Sequence, residues 1–496
     1  MKVVHLCTLD HGGAAASALR LHQGLNSLGA RSTMLVLKAA GNHPGVQTAP
    51  MRRAVPGQDP WRTVSDRWSA LLARYPGRPA GLELFSGPRA DVDLAAHPAL
   101  EGADVLHLHW VAGLVDIPAL PDLARGRTVV WTLHDMNPFT GGCHFSGGCQ
   151  RFRQGCGACP QLGSDSATDI SAAFCAERAR AYAATEFTVV SPSRWLADQA
   201  AGASCLGGRG VGVIPYGLDT NAYSPLPAGP IRASLGLSPD DFVILYGADY
   251  ACARKGGEAA TRLLARLPGS MNGRRVVLAT FGAPQPGLSA QGINHLDLGY
   301  LHGAELMAQA YAMADVLLMP TLEDNLPNTV LEAMSCATPV VGFATGGMPD
   351  MVEHGVNGWL AEPGDVDGLR AGLEQALEHA PTAGAAARAL VLDRYTLARQ
   401  AWAYLDVYAR DIARRQALAI GPVARAGQPF PESAHAHRWL DGLSGIEIGP
   451  AAHNPFGLNT RNVGLHHHGY HEEQLRLAGH ISPLHVESDA EHLPLP

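Results

Sequence analysis

A short apolar strand, Lys2 to Cys7, runs into Asp10-His-Gly-Gly-Ala-Ala-Ala and then into a segment carrying Leu19, Leu21, Leu25 and Leu28 at helical spacing. Gly29 ends that helix, and Thr33 to Leu37 forms the next apolar strand. Strand, glycine loop, helix and strand in this order need a parallel crossover, which restricts the chain to an α/β architecture. The turn at Gly12-Gly13 offers backbone N–H groups to a ligand, and packing or a plain turn explains a bare glycine pair equally well.

The alternation continues. Val105–His109, Thr128–Leu133, Phe187–Val190 and Gly212–Ile214 complete one sheet, and Pro225-Leu-Pro-Ala-Gly-Pro230 separates it from a second series. That series comprises Phe242–Tyr246, Arg275–Thr280, Ile293–Leu296, Val316–Met319 and Pro339–Gly342. Two Rossmann-like domains, residues 1–225 and 226–417, are expected to face each other across a cleft. Ala401, Tyr404, Leu405, Tyr408 and Ile412 give residues 394–415 an amphipathic stripe, read as the helix that closes the second domain. Residues 418–436 contain a Pro/Gly/Ala-rich linker, and 437–496 open another strand and glycine loop at Gly445–Gly457. About sixty residues are too few for a doubly wound domain, so this tail is expected to be an incomplete α/β segment.

A length of 496 residues suits about three domains at ~150 residues each. A net charge of −8 argues against general nucleic-acid binding, which rewards clustered positive charge. The start Met-Lys-Val-Val-His-Leu lacks a long apolar core, and no stretch approaches the ~18 apolar residues of a membrane span; a cytoplasmic protein is expected. Residues 51–79 interleave Arg52, Arg53, Arg62, Arg67, Arg74 and Arg78 with Trp61, Trp68 and Leu72. That pattern suits peripheral contact with a membrane surface, or a solvated helix packed by its tryptophans.

Chemistry concentrates in Thr321-Leu-Glu-Asp-Asn-Leu-Pro-Asn-Thr-Val-Leu-Glu-Ala-Met334. An apolar strand ends at Pro320, and Asn328 to Ser335 has helical composition, so Glu323 and Asp324 sit at a strand's carboxyl end before a helix N-terminus. Doubly wound sheets bind nucleotides at that edge, where free N–H groups favour phosphate. Glu332, one to two turns inside, is placed to reach a ribose hydroxyl pair, and Glu323 or Asp324 a sugar. An acidic turn that only complements the helix dipole is the plainer reading. Of nine cysteines, Cys143, Cys149, Cys156 and Cys159 cluster in a Gly-rich run whose last two form Cys-x-x-Cys. A structural zinc, a redox pair or unliganded thiols all suit this spacing. His134 and His109 both end apolar strands, where side chains meet ligands, and Asp135 is placed to orient His134 or to cap a turn.

Gly12-Gly13, His107-Leu-His109, Thr132-Leu-His134-Asp135, Val190-Ser-Pro-Ser-Arg194, Ile214-Pro-Tyr-Gly-Leu-Asp219, Arg254-Lys255-Gly256, the acidic loop and Gly346-Gly347-Met348-Pro349-Asp350 together resemble the retaining family-four glycosyltransferases over residues 1 to about 417. His134 to Pro160 resembles the branch that builds colanic-acid-like surface polysaccharides. The resemblance implies a GT-B fold and metal-independent transfer of a hexose from a UDP- or GDP-linked sugar to a glycan or lipid-linked acceptor, with no cofactor required for catalysis. It implies that Lys255, with Arg254 as second cation, neutralises the departing diphosphate, and that His134 faces the donor sugar. By the same likeness, Glu332 takes the ribose and Glu323 or Asp324 the sugar. Amides at Asn325, Leu326, Gly346 and Gly347 would approach sugar or phosphate oxygens. The family often carries an arginine a few positions before Arg254, where this chain has Gly247-Ala-Asp-Tyr250. A non-catalytic sugar-nucleotide-binding protein and a GT-B enzyme with a small-molecule acceptor are the competing readings. Residues 446–457 and 489–496 resemble the opening of an S-adenosylmethionine methyltransferase, of which 437–496 would be a truncated segment.

Overall fold

The computed structural model describes residues 1–53, 57–247, 252–283 and 293–416 in full, and only the backbone of 417–420 and of three short strands beyond. The chain divides into two compact units, Met1–Arg414 and Arg415–Pro496.

In the first unit, β1 (Lys2–Leu6), β2 (Arg31–Val36), β3 (Val46–Thr48), β4 (Val105–Leu108), β5 (Thr128–Thr132), β6 (Thr188–Ser191) and β7 (Val211–Val213) form a sheet in the order β3-β2-β1-β4-β5-β6-β7. Every pairing in it is parallel. A second sheet contains β8 (Phe242–Gly247), β9 (Ser270–Met271), β10 (Arg274–Phe281), β11 (Asn294–Asp297), β12 (Val316–Met319), β13 (Val340–Phe343) and β14 (Gly358–Ala361). Its order is β11-β10-β8-β12-β13-β14, with β9 antiparallel to β10 at one end. These are the two Rossmann-like lobes expected from the alternation. Their central strands are buried on both faces, which is why they read as unbroken apolar runs. Strands β3, β9 and β14 were not anticipated: β3 and β14 end their sheets, β3 with two of three residues exposed, and β9 has two residues, so none presents a long apolar run.

Strand order reverses between β1 and β4 in one sheet and between β8 and β12 in the other. Ligands bind beyond the carboxyl ends of strands at such points. The Gly12 turn before helix α1 (Gly13–Ser27) leaves β1, and the acidic loop leaves β12, so topology alone brings both motifs to the crevice edge.

Two elements depart from the sequence pattern. The C-terminal helix Leu397–Ile420 closes the first lobe rather than the second: Ala401, Tyr404, Val407 and Tyr408 pack with Val3, Leu21, Leu25, Val105, Val130 and Ile214. The chain returns to that lobe where Leu218 N donates to Tyr395 O at 2.8 Å, so the stripe meets the sheet face left open beside α1. The helix also runs on to Ile420, inside the stretch read as linker, whose residues 421–436 lie outside those described.

Helix α2 (Pro60–Leu72) carries the basic, aromatic segment, with Asp59 capping its first turn. Trp68 is buried, and Trp61 packs edge-on against it with ring centroids 5.6 Å apart. The tryptophans are thus spent on the core, and Arg62 and Arg67 face outward beside Asp66 and Asp91. No helix among the described residues is long and apolar enough to cross a membrane. In the second unit β15 (Gly445–Ile448), β16 (Thr460–Gly464) and β17 (Val486–Glu487) pair in parallel, in sequence order.

Candidate active site

The acidic loop is held from below by close backbone approach. Thr345 Oγ1 donates to Thr321 O at 2.9 Å, and Gly347 N to Asp324 O at 3.1 Å. A Cβ on Gly346 would lie 1.7 Å from Asp324 O, and one on Gly347 1.8 Å from Asn325 O. Gly346-Gly347 therefore form the floor of the loop, and neither lines the cleft as the expected ligand-facing amides would. Gly256, with φ +76° and the Pro320 carbonyl against it, plays the same part for the Arg254-Lys255 turn.

Lys255 Nζ donates to Asp324 Oδ2 at 2.6 Å. Burial alone would raise the Asp324 pKa, but Lys255 and Arg254 outweigh it and hold the carboxyl below its ordinary value. Arg254 lies 3.4 Å from Asp324 and is shared with other partners: Nε and Nη2 donate to Glu83 at 3.0 and 2.6 Å, Nη1 donates to Glu323 O, and the guanidinium lies 3.8 Å from the centre of the Phe145 ring. It is a clamp between lobes in this state, rather than the free second cation expected. Ala248 to Tyr250, at the position where an earlier arginine would stand, lie outside the described residues.

Glu323 and Asp324, which sequence could not separate, have different partners. Asp324 lines the cleft, whereas Glu323 points to the cysteine-rich loop and accepts from Gly147 N at 2.9 Å. Glu332 lies behind the cleft wall, where it accepts from Arg20 Nη2 at 2.5 Å and from the Tyr311 hydroxyl at 3.0 Å. Arg20 belongs to α1, so the carboxylate read as the ribose ligand is bridged to the opposite lobe. Asn328, the first residue of the helix Asn328–Ser335, donates to Gly13 O at 3.0 Å and so joins the starts of both helices. Asn325 Nδ2 donates to His134 O at 3.1 Å while its Oδ1 accepts from Ser193 Oγ at 2.6 Å.

His134 is on the cleft wall but its ring nitrogens face protein: Nδ1 lies 2.7 Å from the Tyr216 hydroxyl and Nε2 3.0 Å from His109 Nδ1. Burial lowers its pKa to about 4, so the imidazole is neutral at physiological pH. His109 is buried behind it and does not reach the cleft. Asp135 turns from His134 to cap the turn at Asn137 N and to hold His144 and Trp110.

The cleft encloses about 420 Å³ between the lobes. Of the expected residues it gathers Gly12, Gly13, His134, Asp135, Arg254, Lys255, Asp324, Asn325 and Leu326, and leaves out His109, Glu323, Glu332, Gly346 and Gly347. It adds Trp110, Phe145 and Tyr216, to which no charge or spacing had pointed, although Tyr216 lies in Ile214-Pro-Tyr-Gly-Leu-Asp219. Arg20 and Glu83 were also missed, because their importance comes from pairing across the cleft.

Cys143, Cys149, Cys156 and Cys159 line one cavity of about 20 Å³ at the base of their loop. Their sulfurs do not assemble into metal-ligand spacing; among the described residues only His5, His107 and His109 do. Burial, with neighbouring thiols adding to it, pushes the Cys143 thiol up to about 12 and raises Cys159 also, so both are protonated thiols in the metal-free protein. The expected structural zinc thus has no preassembled set of ligands among the described cysteines.

Two facing Rossmann-like lobes with a lysine and two helix starts at their crevice define a GT-B architecture. Residues 254–379 match the family model for glycosyl transferases group 1. A D-inositol 3-phosphate glycosyltransferase of Actinosynnema mirum is 32% identical over 178 residues, which cover 33% of this chain and 42% of that protein. WcaC of Escherichia coli K12, a candidate colanic acid biosynthesis glycosyl transferase, is 26% identical over 348 residues, or 67% of this chain and 80% of that one. Among solved structures, Anabaena Alr3699/HepE in complex with UDP and glucose has a TM-score of 0.55 at 19% identity, covering 82% of this chain and 99% of its own. The sucrose-phosphate synthase of Thermosynechococcus elongatus has a TM-score of 0.57 at 18% identity, covering 84% and 100%. These structural likenesses show the fold.

Proposed function

We propose that the chain is a glycosyltransferase that moves a hexosyl group from a nucleoside diphosphate to an acceptor hydroxyl with retained anomeric configuration. The observation that carries this reading is the cleft itself, where Lys255, Asp324 and the starts of two helices from opposite lobes converge. The diphosphate would replace Asp324 as the partner of Lys255, while the free amides at the Gly12-Gly13 and Asn328 ends take phosphate oxygens. As the glycosidic bond breaks, negative charge grows on the leaving phosphate, so these groups act most strongly in the transition state and no metal is required. That phosphate oxygen accepts the proton of the acceptor hydroxyl on the same face. Glu332 would exchange Arg20 for the ribose hydroxyls, which means donor binding must rearrange the contact between lobes.

The match to WcaC favours a glycan or lipid-linked acceptor in surface polysaccharide synthesis. The inositol-phosphate relative supports the second reading, a small-molecule acceptor. For the tail, the three parallel strands are compatible with the start of a methyltransferase-type sheet. A panel of UDP- and GDP-sugars tests the main reading through slow donor hydrolysis, with one donor expected to stand out. Binding without hydrolysis or transfer for any donor would favour the non-catalytic alternative.

A further inference from the structure

Beneath the cleft, β1, β4 and β5 present His5, His107, His109 and Thr132 to one sheet face, covered by α1 and by Tyr404 and Tyr408 of the C-terminal helix. His5 Nδ1 lies 2.9 Å from His109 Nε2, His109 Nδ1 lies 3.0 Å from His134 Nε2, and His134 Nδ1 lies 2.7 Å from the Tyr216 hydroxyl. The far end, His5 Nε2, is buried without a partner. His107 stands aside, bonded to Tyr408 and Thr132 and stacked on His109 with ring centroids 4.2 Å apart. The three ring planes are inclined by 27–33° to one another, and both nitrogens of His107 are already bonded to Tyr408 and Thr132, so His107 would have to give up a bond to complete the metal-ligand set that their spacing allows. His5, His109 and His134 therefore read as a hydrogen-bonded chain, with His107 packed beside it rather than completing a metal cage.

Each ring is neutral, since burial lowers all their pKa values, and so each has one N–H and one lone pair. Two proton orders satisfy these distances, and the one that leaves a lone pair rather than an N–H at His5 Nε2 avoids an orphaned buried donor. The remaining protons then have one arrangement: His5 Nδ1–H to His109, His109 Nδ1–H to His134, and His134 Nδ1–H to the Tyr216 oxygen. We propose that this chain aims the Tyr216 hydroxyl proton outward as a donor to an oxygen of the bound sugar nucleotide, with His5 and His109 as positioning residues. Tyr216 lines the cleft, Ser17 flanks its hydroxyl, and burial keeps the phenol protonated. The substrate part of this inference rests on the glycosyltransferase reading.

The test is long-range proton–nitrogen NMR on the full chain labelled at histidine, with assignments from His5→Gln, His109→Gln and His134→Gln. The expected result is the Nδ1–H tautomer, the minor form of free imidazole in water, at all three sites. Nε2–H at His109 or His134, or a co-purifying equivalent of zinc that shifts both signals, would overturn the chain. For the donor role, Tyr216→Phe should lower kcat for donor hydrolysis about tenfold with KM changed less. His5→Leu should mirror that loss, with partial rescue in His5→Gln. An unchanged kcat in Tyr216→Phe overturns the substrate role. Expected tautomers in a chain with no activity on any donor would instead count against the glycosyltransferase reading.

Discussion

Replacing Lys255 by methionine separates the two tasks of this side chain. Its ammonium balances Asp324, whose side chain is 12% exposed, at 2.6 Å. Removing one partner of a buried pair costs about 3–5 kcal/mol when the other charge is left alone. Asp324 would keep Arg254, 3.4 Å away, and the Asn325 amide, 2.9 Å away, so a loss of about 1–3 kcal/mol is expected at pH 7. Changing Asp324 to asparagine as well should restore much of that stability, because the uncompensated charge is gone. Turnover should not return: removing a group that stabilises transition-state charge costs about 10²–10³ in kcat. Chemical denaturation measures the first effect and donor hydrolysis the second. The sign with pH is also fixed. The folded-state pKa of Asp324 is depressed, so its stabilisation is present above the unfolded value of about 3.9 and is lost as pH falls through the folded value. Lys255→Met should shrink this acid loss. Wild-type kcat in the single variant, or recovered turnover in the double variant, would refute the reasoning.

Three further outcomes follow from the same geometry. Glu83→Gln should free Arg254 and lower KM for the donor several-fold, read from saturation kinetics. Arg20→Ala leaves Glu332 with Tyr311 alone in a buried place and should cost about 2–3 kcal/mol, measured by urea unfolding. Mild acid should destabilise the protein through its buried neutral histidines, because unfolded histidines take up protons below about pH 6.5 and the folded ones do not until well below that. Each contributes about 1.4 kcal/mol per pH unit in that window, and His109→Gln should flatten the stability–pH curve measured by denaturation from pH 7 to 5.

The central strands and the motif order were legible because fully buried parallel strands leave apolar runs that need no partner to be recognised. Asn328 to Ser335 was read as a helix with the bounds it has. Edge strand β3 and the destination of the C-terminal helix were not legible, since each is decided by which distant surface remains uncovered. Within the site, the loop position of Asp324 and Lys255 was readable, but the division of labour between Glu323 and Asp324 was not. Adjacent carboxylates have the same chemistry, and only the loop tip at Gly147 decides which one it captures. Likewise, Arg254 looks like a free cation until Glu83 is folded against it, and His134 looks like a ligand until His109 and Tyr216 occupy both of its nitrogens.

Calorimetric titration of UDP and GDP into the wild-type chain and Lys255→Met, at two salt concentrations, tests the cleft most directly. One nucleotide should bind the wild type with micromolar affinity, weaken at higher salt, and lose at least tenfold in the variant. Equal affinity in both proteins would contradict the assignment of this cleft as the site that takes the diphosphate.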